Sequence, residues 1–97
     1  MKTIWKFPLA IARTQRINMP EGAMSLHVAV QDTREPAANG IRHVKTLTLW
    51  ALVEGTAEVE ERAFTVVGTG HPVPDGGYIG SAMMDELVWH VFEERKP

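Results

Sequence analysis

The chain has 97 residues, of which 44% are hydrophobic and 23% charged, and its formal net charge is −2 at pH 7. This length predicts one globular domain, residues 1–97, and the small negative charge argues against direct binding of duplex DNA, which needs a concentrated basic surface. Because the chain has no cysteine, disulfides, cysteine-type zinc sites and thiol catalysis are excluded.

The first third of the chain alternates between apolar and polar residues, as strands do. Residues 3–7 predict a strand that Pro8 ends, and residues 15–19 predict a second short strand. Turn-forming residues at 20–23 separate it from residues 24–31, where every second residue is apolar. We expect the strands at 15–19 and 24–31 to pair as a hairpin.

The middle of the chain combines a polar segment with an apolar one. Residues 32–45 are predicted to form a long loop, because they are mostly polar and include Pro36. Within them, Asn39-Gly40 is the strongest two-residue signal for a hairpin turn. Residues 44–53 are apolar on both faces at their far end, which indicates a central strand.

A glycine corner follows the next predicted strand, residues 62–67. It has the sequence Gly68-Thr69-Gly70-His71-Pro72, and two glycines one residue apart indicate a backbone shape that other residues resist. The corner is either a structural bend or a nest of backbone N–H groups that binds an anion. It lacks the lysine and the following helix of a phosphate-binding P-loop.

The C-terminal third allows two interpretations. Residues 78–81 predict a strand, whereas the apolar residues between 84 and 92 have helical spacing, with Ser81 as a possible cap. The β-branched and aromatic residues at 87–92 favour a strand instead, and Asp85-Glu86 would then be a turn. Residues 93–97 are expected to be a frayed tail.

These segments together predict an all-β fold of six to seven short antiparallel strands, arranged as a small sandwich or a partly closed barrel. A strand with two apolar faces needs another layer on each side, and so small a chain has few layers. A second copy would supply the missing layer, so we expect a homodimer.

Six segments, spread in order over nearly the whole chain, carry a family resemblance. They are MKTIWKFPL at 1–9, MPEGA at 19–23, LWALV at 49–53, GTGHP at 68–72, YIG at 78–80 and VWHVF at 88–92. Together they resemble a small uncharacterised family found in phages and prophages. The resemblance implies a phage or prophage origin and a compact domain, but no activity. It also favours a turn at Asp85-Glu86, because family members have glycine there.

Catalytic and metal-binding signals are weak. The four histidines, at 27, 43, 71 and 90, do not have the short spacing of a metal-binding motif. Ser25 and Ser81 are the only serines, and neither lies in the Gly-x-Ser-x-Gly elbow of hydrolases. We therefore expect no enzyme activity, no metal and no cofactor.

A partly exposed tryptophan is the best binding signal. We expect this residue to be Trp50, because its strand neighbours Thr46 and Thr48 are polar. An exposed tryptophan near arginine suits stacking on a base or anchoring a partner. The candidate residues for binding a ligand or partner are therefore Arg34, Arg42, Trp50, Gly68, Gly70 and His71.

The function that we expect is that of a non-enzymatic binding protein of phage origin in the host cytoplasm. No apolar run approaches the ~20 residues that span a membrane, and residues 1–7 do not read as a signal peptide. Counter-defence, by binding a host defence protein or by sequestering a nucleotide signal, is favoured by analogy with other small phage proteins. A minor virion or assembly component is one alternative, and a small metal-dependent hydrolase is another.

Overall fold

The computed structural model describes residues 1–95, which form seven β-strands and no helix. The strands are β1 (Lys2–Leu9), β2 (Gln15–Pro20), β3 (Met24–Ala37), β4 (Gly40–Glu54), β5 (Val59–Gly68), β6 (Gly76–Met84) and β7 (Leu87–Glu94). The first sheet has the order β1-β4-β3 and the second sheet the order β2-β5-β7-β6, and every pairing is antiparallel. The predicted all-β sandwich is confirmed. Within residues 1–95 no helix could span a membrane.

The core lies between the two sheets. From the first sheet, β4 contributes Leu47, Leu49, Ala51 and Val53, each at most 1% exposed. From the second sheet, Phe64, Val66 and Val91 belong to the same buried cluster. Burying a large apolar side chain contributes about 1.5–3 kcal/mol, so these facing layers are the main stabilising feature of the fold. The predicted central strand at 44–53 is confirmed by the place of β4 between β1 and β3.

The predicted hairpin between residues 15–19 and 24–31 is wrong, because the two strands lie in different sheets. β2 pairs with β5, whereas β3 pairs with β4. The turn between them is bound to the start of β5: the Glu21 N–H donates to the Glu58 carbonyl at 2.7 Å, and the Gly22 N–H donates to the Glu60 carboxylate at 3.1 Å. The chain thus crosses from one side of the core to the other at this turn.

The predicted loop at 32–45 is also wrong, because these residues extend β3 and β4 into a two-stranded arm. The strands pair as far as Ala37 and Gly40, and Gly40 has a φ of 117°, so the turn signal was correctly placed. Polar side chains do not prevent backbone pairing, and an Arg42–Glu35 ion pair of 2.7 Å joins the two strands. The arm extends the molecule: its radius of gyration is 14.6 Å, against about 12.5 Å for a compact chain of this length.

Both ends of the chain continue further as strand than predicted. Pro8 does not end β1, which runs to Leu9, because β1 is an edge strand where a missing N–H is tolerated. Strand is confirmed for residues 84–92, since β6 and β7 form a hairpin around Asp85-Glu86. Glu93 and Glu94, predicted to be frayed, lie in β7, and residues 96–97 of that predicted tail lie outside the described residues.

Candidate partner-binding surface

The six residues predicted to bind a ligand lie in three separate places. Arg34 and Arg42 are on the arm, and Arg42 is ion-paired with Glu35. Trp50 lies in β4, on the face of the first sheet that points away from the core. The glycine corner, residues 68–71, is at the end of β5 in the second sheet. A single chain therefore does not join these residues into one pocket.

The geometry of the glycine corner supports the structural interpretation. Gly70 has a φ of 92°, a backbone conformation that residues other than glycine rarely adopt. A Cβ at Gly68 would lie 3.3 Å from the imidazole of His71 and 3.5 Å from the ring of Trp89. The His71 N–H donates to the Gly68 carbonyl at 3.2 Å, so it is already used within the turn and is not offered to an anion.

The outward face of the first sheet carries a group of apolar side chains in two adjacent cross-strand rows. Ile4, Leu52 and Met24 form one row, and Lys6, Trp50 and His27 form the next. Ile4 is 56% exposed and Met24 is 59% exposed, while Trp50 and Leu52 are half-buried. We name Ile4, Met24, His27, Trp50 and Leu52 the outer patch.

A β-bulge shapes the outer patch. The register of β3 against β4 shifts between Ser25 and His27. Without this shift Leu26 would lie opposite Trp50; with it, His27 takes that place and its ring lies 5.9 Å from the Trp50 ring. Bulges commonly re-aim side chains in this way at functional positions. Leu26 itself stays 48% exposed beside the patch.

The charged residues around the outer patch are mainly basic. Lys2 and Lys6 project from β1 on the same face, and Lys6 donates to the Gln31 side chain at 2.9 Å. The acidic residue Glu54 lies opposite Lys2, and its carboxylate already binds the chain's amino terminus at 2.9 Å. That hydrogen bond, with a second one from Thr56, lowers the pKa of Glu54. The rim of the patch therefore favours an acidic partner surface.

The outward face of the second sheet carries a chain of hydrogen-bonded side chains that the sequence interpretation missed. The two ring nitrogens of His90 lie 2.6 Å from Ser81 Oγ and 2.8 Å from Thr69 Oγ1. The Tyr78 hydroxyl lies 2.6 Å from the same Ser81 oxygen. We name Thr69, His90, Ser81 and Tyr78 the hydroxyl chain. A turn at Asp85-Glu86 already implies that Ser81 and His90 are cross-strand partners, which is the signal that could have found it.

The histidines do not converge. His27 lies on the first sheet, His43 on the arm, His71 at the glycine corner and His90 on the second sheet. Among residues 1–95 no three histidine or carboxylate side chains are grouped as a metal site requires.

A family model covers the whole chain. It describes a domain of unknown function, DUF7352, and matches residues 1–97. The chain belongs to the DUF7352 family. No curated protein and no solved structure is detectably similar to it.

The tryptophans of this DUF7352 member differ in their surroundings. Trp89 packs against the core, Trp5 lies over Gly55 with 42% of its surface exposed, and Trp50 is half-buried within the outer patch. Trp5 is therefore more exposed than the half-buried Trp50. Trp50 nevertheless has the surroundings of a binding anchor. The apolar row of Ile4, Leu52 and Met24 lies on one side of it, and a polar groove lies on the other side. That groove has a volume of about 210 Å³ and is lined by Lys6, Pro8, Gln31, Thr33, Thr46 and Thr48.

Proposed function

We propose that this protein is a non-enzymatic binding protein that holds a partner protein against the outer patch. The observation that carries the proposal is the apolar row of Ile4, Leu52 and Met24 beside Trp50 on the outward face of the first sheet, with Ile4 and Met24 more than half exposed. Single exposed apolar residues are ordinary, but contiguous apolar patches mark interaction surfaces. Trp50 at the centre fits the aromatic anchor that dominates many interfaces.

The charges around the patch narrow the class of partner. Lys2 and Lys6 border it on one side, and the carboxylate of Glu54 is already bound to the amino terminus. A partner with an apolar centre and an acidic rim would match this distribution, and opposite charges at a rim mainly speed association. A nucleotide ligand is less well supported, because Arg34 and Arg42 lie on the arm and not beside Trp50.

The biological setting of the proposal comes from the sequence resemblance to phage and prophage proteins. In that setting the partner is a host defence protein, the place is the host cytoplasm, and binding blocks the defence. Sheet faces with an aromatic anchor suit this task, because capping a protein needs a surface and no chemistry.

Site-specific crosslinking tests the proposal. A photoreactive amino acid is placed at Ile4 or Met24, and at Val59 on the outward side of the second sheet as a matched control that is 68% exposed. The proposal predicts one host protein crosslinked from the outer patch and not from Val59. A crosslink only to a second copy of this chain would overturn it in favour of the homodimer expected from the sequence.

Reconstitution with the purified partner gives the quantitative test. Trp50→Ala should weaken binding about 30-fold, the factor that corresponds to a hot-spot residue of about 2 kcal/mol. Met24→Glu should weaken it as well, and this exposed position tests the surface without disturbing the core. Val59→Ala should leave Kd unchanged. Equal Kd values for wild type, Trp50→Ala and Met24→Glu would show that the partner binds elsewhere.

A further inference from the structure

Ser81 lies on the outward face of the second sheet, on the side of the sandwich away from the outer patch. Its Oγ lies 2.6 Å from Nδ1 of His90, and Nε2 of the same ring lies 2.8 Å from Thr69 Oγ1. A hydroxyl, an imidazole within hydrogen-bond reach and a third group that orients the imidazole are the arrangement by which proteins activate a hydroxyl nucleophile.

The hydrogen bonds of the hydroxyl chain can all run in one direction. With a hydrogen on Nε2, His90 donates to the Thr69 hydroxyl, and its bare Nδ1 then accepts the hydrogen of Ser81. The exposed Tyr78 phenol donates to the same Ser81 oxygen at 2.6 Å. In this arrangement Nδ1 of His90 faces the serine hydroxyl as the base that takes its proton, and the hydrogen bond from Tyr78 fixes the position of the Ser81 oxygen.

We infer that Ser81 is an activated nucleophile that takes an acyl group from activated esters or thioesters. The Ser81 oxygen forms a bond to the carbonyl carbon, and the bond from that carbon to the leaving oxygen or sulfur breaks. His90 Nδ1 accepts the serine proton and passes it to the leaving alcohol or thiol. The products are an ester on Ser81 and the free alcohol or thiol, so no oxidant, reductant or metal is needed.

The neutral hydroxyl of Thr69 makes Ser81 less reactive than the serine of a catalytic triad. In a catalytic triad a carboxylate occupies the corresponding place and stabilises the imidazolium, and replacing it by a neutral group lowers kcat by about 10,000-fold. This slows acylation and deacylation alike, but an activated ester or thioester has a far better leaving group than the ester formed on Ser81. Water therefore removes the acyl group slowly, and Ser81 stays acylated. Such a reactivity is compatible with a protein whose main task is binding.

Acetylation by p-nitrophenyl acetate tests the inference on the whole protein. We expect one acetyl group, located at Ser81 by peptide mass spectrometry, and release of p-nitrophenol that stops after one equivalent. His90→Gln should slow acetylation by at least about 100-fold, the lower end of what a general base contributes. Thr69→Val should slow it too, and Thr69→Ser should restore it, because the role of Thr69 is to position the imidazole.

Controls separate this reactivity from general surface chemistry and from misfolding. Ser25→Ala should change nothing, since the Ser25 hydroxyl is buried and has no hydrogen-bond partner. Circular dichroism and thermal unfolding confirm that each variant is folded. Acetyl groups on lysines alone, or equal rates at Ser81 in wild type and His90→Gln, would overturn the inference. Either result would leave the outer patch unaffected, because Ser81→Ala is not expected to alter the Kd for the partner.

Discussion

Replacing Arg62 by methionine should be among the most destabilising single changes outside the apolar core. The Arg62 side chain is only 10% exposed and lies on the same face of β5 as the core residue Phe64. Its guanidinium binds both carboxylate oxygens of Glu93, at 2.6 and 2.8 Å, and also the carbonyl of Ala23, at 2.6 Å. One side chain thereby joins β5, β7 and the turn that crosses between the sheets. Its hydrogen bonds to the Glu93 carboxylate raise the pKa of Arg62.

The size of the effect follows from what the substitution leaves behind. Removing one partner of a buried ion pair costs about 3–5 kcal/mol, because the other charge stays desolvated. Glu93 is 25% exposed, so water recovers part of that cost. We expect Arg62→Met to lower the free energy of unfolding by about 2–4 kcal/mol, a value between those of buried and exposed pairs. For a domain of this size the melting temperature should fall by at least about 10 °C.

Urea denaturation of three variants measures the effect. Arg16→Met is the matched control, because Arg16 binds Glu61 at 2.9 Å with side chains that are 68% and 55% exposed. Exposed pairs of this kind contribute at most about 1 kcal/mol. The double variant Arg62→Met/Glu93→Leu should regain part of the loss, since the carboxylate of Glu93 is then no longer left without its partner, although Glu60 still loses its ion pair of 3.8 Å with Arg62. Equal losses for Arg62→Met and Arg16→Met would show that burial of the Arg62–Glu93 pair does not matter for stability.

Three further predictions concern backbone strain and acid stability. Gly70→Ala should lower the free energy of unfolding, measured by thermal unfolding, by about 1–2 kcal/mol, because Gly70 has a φ of 92°. Gly77→Ala is the control and should be nearly neutral, since a Cβ at Gly77 would meet open space. Equal losses in the two variants would argue against backbone strain at Gly70. Glu86→Gly should raise stability by about 0.5–1 kcal/mol, because Glu86 has a φ of 69° in a turn that favours glycine, and a loss would contradict this. The hydrogen bond from the amino terminus, and after it the one from Thr56, lowers the pKa of Glu54 below its ordinary value of 4.5. The ionised Glu54 carboxylate therefore stabilises the fold at pH values above 4.5, and this stabilisation is lost as the pH falls through the lowered pKa. Unfolding followed against pH should accordingly show a weaker acid dependence for Glu54→Gln than for wild type.

Local patterns were sufficient to predict several parts of the fold. β4 stood out because Leu47, Leu49, Ala51 and Val53 repeat with the period of a strand, and the structure buries all four. The turns at Asn39-Gly40 and Asp85-Glu86 were also placed correctly, since turn chemistry depends on adjacent residues. These features are local, so they can be read without knowing the rest of the molecule.

Pairing partners could not be predicted in the same way. The apolar faces of residues 15–19 and 24–31 fit two arrangements, a shared hairpin or strands in two facing sheets. The pairing of β2 with β5 selects the second arrangement, and this pairing joins segments that are distant in the sequence. The arm was missed for a different reason. Its residues are polar on both faces because no second layer covers them, and apolar alternation therefore does not reveal a strand there.

The candidate site was predictable only in part. Trp50 is half-buried, but Trp5, which the sequence did not single out, is more exposed. Ile4 and Met24 join Trp50 only through the register of β1 and β3 against β4. The bulge that brings His27 to Trp50 has no sequence signal that we can identify. Ser81 and His90 were judged separately as weak candidates, and their contact depends on the β6–β7 register.

The order of the strands along the chain has a consequence for biosynthesis. β1 and β2 leave the ribosome before β4 and β5, the strands with which they pair, exist. Among the described strands, the β3–β4 and β6–β7 hairpins form from neighbouring residues. The pairs β1–β4, β2–β5 and β5–β7 join segments that are distant in the sequence. Folds with such long-range pairing form in milliseconds to seconds. During that interval Leu9 and Met19, which are buried in the finished fold, stay uncovered and open to aggregation or to chaperones.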